Sequence, residues 1–347
     1  MKFWLLAAVT LTLPAGMAAQ APANVPDNAP ARIHPLPTLR EQAVEQQAWL
    51  EQRMNRVLPE LMAEYDVDMW ILSMREYAED PVFWSITSPT TFAARRRSIY
   101  VFTRQEDGAI ERLALGGTAQ GGVFTAFRSI RPAPTEETME LVGNEQWRLL
   151  RELVEDRDPG NIVLNIDPDW AFSDGLHTGE YEALTDALGA EYAGRVKRES
   201  RLAMNYIALR IPEMMPRYRR VTETVHAIIS EAFSNAVITP GVTTTDDVLW
   251  WMRQRIQGLG YTTWFQTSVD VQREGVVPAG GPVVIQKGDL LWTDFGVVAE
   301  NLHTDTQHMG YVMKDGESEV PAGLRQCLAN TNRLQDILLN NMEPGLT

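Results

Sequence analysis

The sequence predicts an α/β protein of two domains, and three observations carry that expectation. Its 347 residues suffice for about two domains of roughly 150 residues each. From about residue 38 onward, runs of strand character alternate with runs of helical period, the pattern of α/β and mixed folds. A turn signature also recurs: Pro240-Gly241-Val242-Thr243 returns as Pro344-Gly345-Leu346-Thr347, each time after a helical pattern. Chance is one explanation of a four-residue match. The other is a C-terminal domain built as a duplicated α/β unit whose second copy stops at its turn, so that the domain is expected to be incomplete.

Residues 1–19, MKFWLLAAVTLTLPAGMAA, join a lysine, an apolar run too short for a membrane span, a proline break and small residues. This is the make-up of a secretory signal peptide, which places the mature protein in the periplasm or outside the cell. Residues 20–37 carry Pro22, Pro26, Pro30, Pro35 and Pro37 and read as an extended leader, with folding starting after it. A first domain spans 38–195. It opens with a helical pattern from Leu39 to Tyr65, then a strand from Met69 to Met74. Ser98–Thr103 and Ile110–Leu115 flank the turn Gln105-Glu106-Asp107-Gly108 as a hairpin, Trp147–Val154 is helical, and Asn161–Ile166 is a strand. The run Arg95-Arg96-Arg97 reads as a solvated face at the start of a strand, with an anion contact as the alternative.

The second domain, 196–347, starts with a helix marked by Pro212 and Pro216, whose Val221, Val225, Ile228, Ile229 and Phe233 recur at helical spacing and run toward the Pro240-Gly241 turn. Thr244 or Thr245 can cap the next helix, with Val248, Leu249, Met252 and Ile256 facing inward and Trp250 and Trp251 read as packing residues. The single cysteine, Cys327, excludes an internal disulfide and falls in a helical pattern as an inert core residue. A net charge of −15 without a basic stripe excludes nucleic acid as the main partner, since neutralising phosphates needs clustered cations. Past the signal peptide no stretch approaches the length of a transmembrane helix.

The chemistry concentrates between Lys287 and Val312. Two strand-type runs, within Lys287–Gly296 and Leu302–Val312, lie on either side of a polar turn near Glu300 and Asn301. Asp294 and Asp305 sit equidistant from its midpoint, so in a tight hairpin they become cross-strand neighbours on one face, with Cβ atoms about 5 Å apart. Carboxylates so close repel unless one is protonated or a cation lies between them. A divalent metal removes that conflict; two aspartates on a wet outer face are the alternative. Two aspartates alone supply too few ligands for a tight first-row site. His303 could share the face of Asp305, whereas His308 should point away; both, like His226, read first as structural.

KGDLLWTDFG, the spacing to Asp305 and the following TDTQHMGYV resemble the pita-bread metallohydrolase family, which includes methionine aminopeptidase, Xaa-Pro aminopeptidase, prolidase and creatinase. The resemblance runs from about 197 to 347 and includes the repeated Pro-Gly turn. It implies a creatinase-like N-terminal α/β domain followed by an incomplete pita-bread catalytic domain, which is a duplicated α/β unit. It implies two divalent metal ions, drawn from Mn, Co, Fe and Zn, with Asp294 as a bidentate ligand and Asp305 as a bridging one. The remaining family ligands, a histidine and two glutamates, would follow Thr347. The substrate histidine that family peptidases place before the first metal aspartate is absent from Trp264 to Lys287, where Ser268-Val269-Asp270-Val271-Gln272-Arg273 stands instead. Asp270 and Arg273 are accordingly candidate substrate contacts, with a structural salt bridge as the alternative. The expectation is an exported metallopeptidase that hydrolyses the N-terminal Xaa-Pro bond of short peptides and is inactive if truncated at 347. Its alternative is a non-catalytic creatinase-fold binding module or remnant. The sequence leaves monomer and homodimer both open.

Overall fold

The computed structural model describes residues 29–127, 144–273 and 281–343. The signal peptide, leader residues 20–28 and the second turn copy at Pro344–Thr347 lie outside the described residues.

The first helical pattern resolves into α1 (Leu39–Gln52), a wider π turn over Arg53–Val57, and α2 (Leu58–Glu64). Thr38 starts α1 through a capping box: its hydroxyl accepts from the Glu41 amide while the Glu41 carboxylate returns to the Thr38 amide at 2.9 Å. The wide turn falls just before Pro59, which has no N–H to give the helix ladder. Strand β1 (Met69–Arg75), the short α3 (Phe83–Ile86), β2 (Arg97–Arg104), β3 (Ile110–Leu115), β4 (Thr125–Phe127), α4 (Asn144–Arg157), β5 (Ile162–Leu164), α5 (Thr178–Ala193), β6 (Val196–Lys197) and α6 (Ser200–Ala208) follow. The strands form one sheet in the order β4-β3-β2-β1-β5-β6.

Strand β1 is buried on both faces because the sheet is covered on both. Trp70, Leu72 and Met74 join Leu58, Met62, Phe83 and Tyr206 in one cluster, while Met69 and Ile71 join Leu150, Val154, Leu184 and Leu188 in the other. Strand β6 and α6 belong to this assembly, with Leu202, Ala203 and Tyr206 in its core. The first packed unit therefore continues past residue 195, where the sequence reading divides the chain. Arg97 does not solvate a strand start. It meets the buried Glu180 carboxylate at 2.9 and 3.1 Å.

The second unit comprises α7 (Met215–Ala232), α8 (Thr245–Gly258), β7 (Ser268–Gln272), β8 (Leu290–Phe295), the small pair β9 (Val298–Ala299) and β10 (Leu302–His303), β11 (Thr306–Tyr311) and α9 (Ala322–Asn341). Helix α7 ends at Ala232, short of the Pro-Gly turn, with Phe233 as its C-cap. Thr244 caps α8 in a second capping box, with Asp247. Strands β7, β8 and β11 form an antiparallel sheet in the order β11-β8-β7. Val269, Val271, Leu291 and Phe295 on one face pack on Val221, Val225, Ile228 and Ile229 of α7 and Val248, Met252 and Ile256 of α8.

Three expectations are corrected. Residues 29–37 do not form a free leader: Leu36 packs on the second core, the His34 ring meets Glu223 at 2.6 Å, and the His34 amide donates to Thr224 Oγ1 at 3.0 Å. A segment rich in proline cannot build a core but can lie along one. Cys327 is exposed rather than a core residue, because α9 buries none of its side chains. Of the tryptophan pair, Trp251 packs on the core, but Trp250 is 54% exposed, with the Arg253 guanidinium over its ring. No helix among the described residues is long and apolar enough to cross a membrane.

Candidate functional site

The site is the open face of the β11-β8-β7 sheet. Along β8 buried and half-buried residues alternate, so Leu291, Thr293 and Phe295 face the helices while Leu290, Trp292 and Asp294 face away from them. The ladder sets Ser268, Asp294 and Gln307 on one rung, and Asp270, Trp292 and Met309 on the next. Asp305 lies one residue before β11, and its carboxylate meets the Gln307 side chain on this surface. Three acidic residues picked out from the sequence, Asp270, Asp294 and Asp305, thus share one face.

Their relative placement differs from the expectation. The partner of Asp294 across the ladder is Gln307, and Phe295 pairs with Thr306, so Asp305 is diagonal to Asp294 rather than opposite it. The cause is the turn. Val298 pairs with His303 and Ala299 with Leu302, leaving Glu300 and Asn301 as a two-residue loop in which both have φ near +60°, at 53° and 61°. Such loops match the twist of antiparallel strands. They place the midpoint one residue later than the even spacing of the two aspartates suggests.

Gln307 fills the gap between the carboxylates. Its amide nitrogen donates to Asp294 Oδ1 at 2.8 Å and to Asp305 Oδ1 at 2.7 Å. Sequence reading missed this residue; its place two positions after Asp305 is the only signal, and it carries meaning only once the register is known.

The hairpin tip is held from outside the sheet. Glu300 folds its carboxylate into the interior with no exposed side-chain surface, 2.7 Å from Nε of Arg217, whose guanidinium also meets Glu45 of α1 at 2.5 Å. Burial pushes the Glu300 carboxyl up to about 7, Arg217 pulls it down, and Glu45 pushes it up. The Asn301 side chain donates to the Trp84 carbonyl at 3.3 Å, and the Tyr218 hydroxyl donates to the His303 carbonyl. Gly296 lets the chain cross close to itself just after Asp294: a Cβ there would lie 2.3 Å from the Thr304 carbonyl oxygen and 2.5 Å from the Phe265 ring.

The other candidates divide. Arg273 leaves the open face and pairs with the buried Asp289 at 3.0 Å, also donating to the Val284 carbonyl, which ties the end of β7 to the loop before β8. Its role here is the structural salt bridge. His303 is exposed, its Nδ1 3.3 Å from the Asn301 carbonyl oxygen. His308 lies on the helix-facing side, its ring centroid 4.7 Å from that of His226, and burial lowers the pKa of both. Among the described residues no group of three or more His, Cys, Asp and Glu side chains converges to hold a metal ion. Asp294 and Asp305 alone therefore do not make a metal centre, and an amide already occupies the position between them.

Residues 217–347 match the model of "Metallopeptidase family M24". No curated protein matches the chain. Among solved structures, an X-Pro aminopeptidase from Thermotoga maritima is 14% identical, with a TM-score of 0.53 over 80% of this chain and 70% of that one. A prolidase from Pyrococcus horikoshii is 12% identical, with a TM-score of 0.51 over 88% and 74%. A zinc-substituted aminopeptidase P from Escherichia coli in complex with product is 12% identical, with a TM-score of 0.52 over 89% and 69%. These likenesses establish the fold.

Proposed function

We propose, from the match of residues 217–347 to the model of metallopeptidase family M24, that the protein is an exported peptidase that removes the N-terminal residue from short Xaa-Pro peptides. Asp294 and Asp305 supply two of the donors to a centre of two divalent ions, drawn from Mn, Co, Fe and Zn, whose other donors lie outside the described residues. The observation that supports this most directly is that Asp294 on β8 and Asp305 just before β11 meet through Gln307 at one open sheet face inside the family match. Carboxylates so placed gain most from a cation between them. The acidic Asp270 on the same face suits the free amino group of such a peptide, whereas Arg273 is committed to Asp289.

The test is hydrolysis of Xaa-Pro peptides by the natural exported protein with added Mn²⁺, beside its Asp294→Ala variant. Metal-dependent cleavage that the substitution abolishes supports the reading. Full activity in the variant, or a natural protein that binds no divalent ion, removes it. A second reading is a non-catalytic binding module of the same fold, favoured by the Gln307 amide lying between the two carboxylates. It predicts ligand affinity indifferent to chelator, and Mn²⁺-restored hydrolysis would exclude it.

A further inference from the structure

The tip of the hairpin that leads from β8 to β11 is fastened to the first packed unit by two side chains. Glu300 and Asn301 both sit at positive φ, at 53° and 61°, a region that asparagine tolerates and glutamate seldom adopts. A glutamate held there is strained, and what the strain delivers is a carboxylate turned inward. Beside it stands Arg217 of α7, and on the other side of that guanidinium stands Glu45 of α1, so two carboxylates share one cation. Asn301 adds a second fastening, to the Trp84 carbonyl of α3. Three more ionisable side chains face the tip. The Tyr218 hydroxyl donates to the His303 carbonyl, the Tyr261 hydroxyl lies within electrostatic reach of Glu300, and Arg53 is committed to the carbonyl and ring of Tyr206.

The charge count decides how firmly the tip is held. With all three groups of the cluster ionised, two negative charges meet one positive charge. Glu300 has no exposed side-chain surface, and among the described residues neither of its oxygens has a hydrogen-bond donor, so its contact with Arg217 is an ion pair without hydrogen-bond alignment. An ionised carboxylate there has given up water and gained little in return. With Glu300 protonated, Arg217 and Glu45 balance. Burial accordingly raises the Glu300 carboxyl to about 7, with Arg217 opposing and Glu45 adding to the rise. Next to the tip lies a cavity of about 200 Å³, bordered by Trp49, Arg53, Trp84 and Met214, which is wide enough to admit water.

We propose that Glu300 is a proton-operated latch: protonated, it fastens the hairpin tip against α1 and α7, and ionised, it moves out toward water and frees the tip while the sheet below stays folded. The latch stands on the fold alone and needs no ion and no particular substrate. The latched tip holds the proton more tightly than the freed one, so the fastening is complete below pH 4.5 and weakens as pH rises through about 7. Because β9 and β10 connect β8 to β11, freeing the tip in mild alkali loosens the tie between the strand of Asp294 and the segment of Asp305.

Hydrogen exchange at single amides, followed by NMR on the full chain at pH 5, 6, 7 and 8, tests the latch. Ala299 and Leu302 report on the tip ladder, and Leu291 and Thr293 on β8. After division by the intrinsic rate at each pH, protection of the tip amides should fall about fiftyfold from pH 5 to pH 8, the factor that a carboxyl lifted from 4.5 to about 7 supplies. At pH 8 the tip amides should be at least about tenfold less protected than those of β8, and low urea should speed exchange in β8 while leaving the tip nearly unchanged, because freeing a tip exposes little surface. Glu300→Gln should abolish the fall. Glu45→Gln should shrink it, since Arg217 then serves Glu300 alone, and this second variant decides the matter should the first not fold. Tip and β8 amides equally protected at every pH would mean that the tip opens only with the whole fold, and the latch is overturned. It is overturned too by a fall that survives in Glu300→Gln, or by one that is unchanged or larger in Glu45→Gln.

Discussion

Substituting Glu300 by glutamine should make the protein more stable in mild alkali and not in acid. The Glu300 side chain has no exposed surface, and burial lifts its carboxyl from 4.5 to about 7 despite the nearby Arg217. At 1.36 kcal/mol per pH unit, that interval is worth about 3 kcal/mol. The native state holds the proton more tightly than the unfolded chain, so the contribution is fully present below pH 4.5 and is lost as pH rises through about 7. Glutamine keeps the shape and cannot ionise. The stability of the variant minus that of the parent should therefore grow by about 3 kcal/mol from pH 4.5 to pH 8, most of it between 5 and 7. Urea unfolding followed by tryptophan fluorescence at pH 5, 6, 7 and 8 measures this difference, and every other titrating group cancels between the two proteins. A difference that stays flat refutes the reasoning. So does one of opposite slope, which would mean that attraction to Arg217 outweighs the loss of hydration.

Two further substitutions test the frame of the site. Thr244→Ala removes the hydroxyl that caps α8 and should cost about 1 kcal/mol, with Thr244→Ser restoring most of it; equal stability of parent and alanine variant in urea would show the cap to be idle. Gly296→Ala pushes a methyl against the Thr304 carbonyl and the Phe265 ring and should cost about 2 kcal/mol. Because it forces apart the two chain segments that carry Asp294 and Asp305, it should also lower any Mn²⁺ affinity that the proposed function requires, and an affinity present and unchanged would show that the backbone crossing does not set the carboxylate geometry.

The hairpin shows what the sequence could and could not convey. A hairpin through Glu300 and Asn301 was enough to put Asp294 and Asp305 on one common face, because side chains alternate along a strand. Which residue stands opposite Asp294 depended on the turn, and Glu300-Asn301 lacks the glycine that usually marks a loop with two left-handed residues. Placing the midpoint one residue early moves each cross-strand partner by two, so Gln307 takes the position expected of Asp305. A shift of two preserves the face, which is why the shared surface was legible and the bridge was not. The Arg217 and Glu300 pair was invisible for another reason: it joins a helix to a turn far away in sequence, and no periodicity announces such a contact. Residues 29–37 misled through composition, since proline density describes what a segment cannot bury alone and says nothing of a surface it can line.

That proline-rich segment has a bearing on the order in which the chain matures. Its docking partners, Glu223 and Thr224 of α7 and the hydroxyl of Tyr261, are made roughly two hundred residues later. This first described segment therefore has nothing to settle on until most of the polypeptide has been made. Contacts this remote close late and slowly. The first described segment is therefore among the last to find its seat.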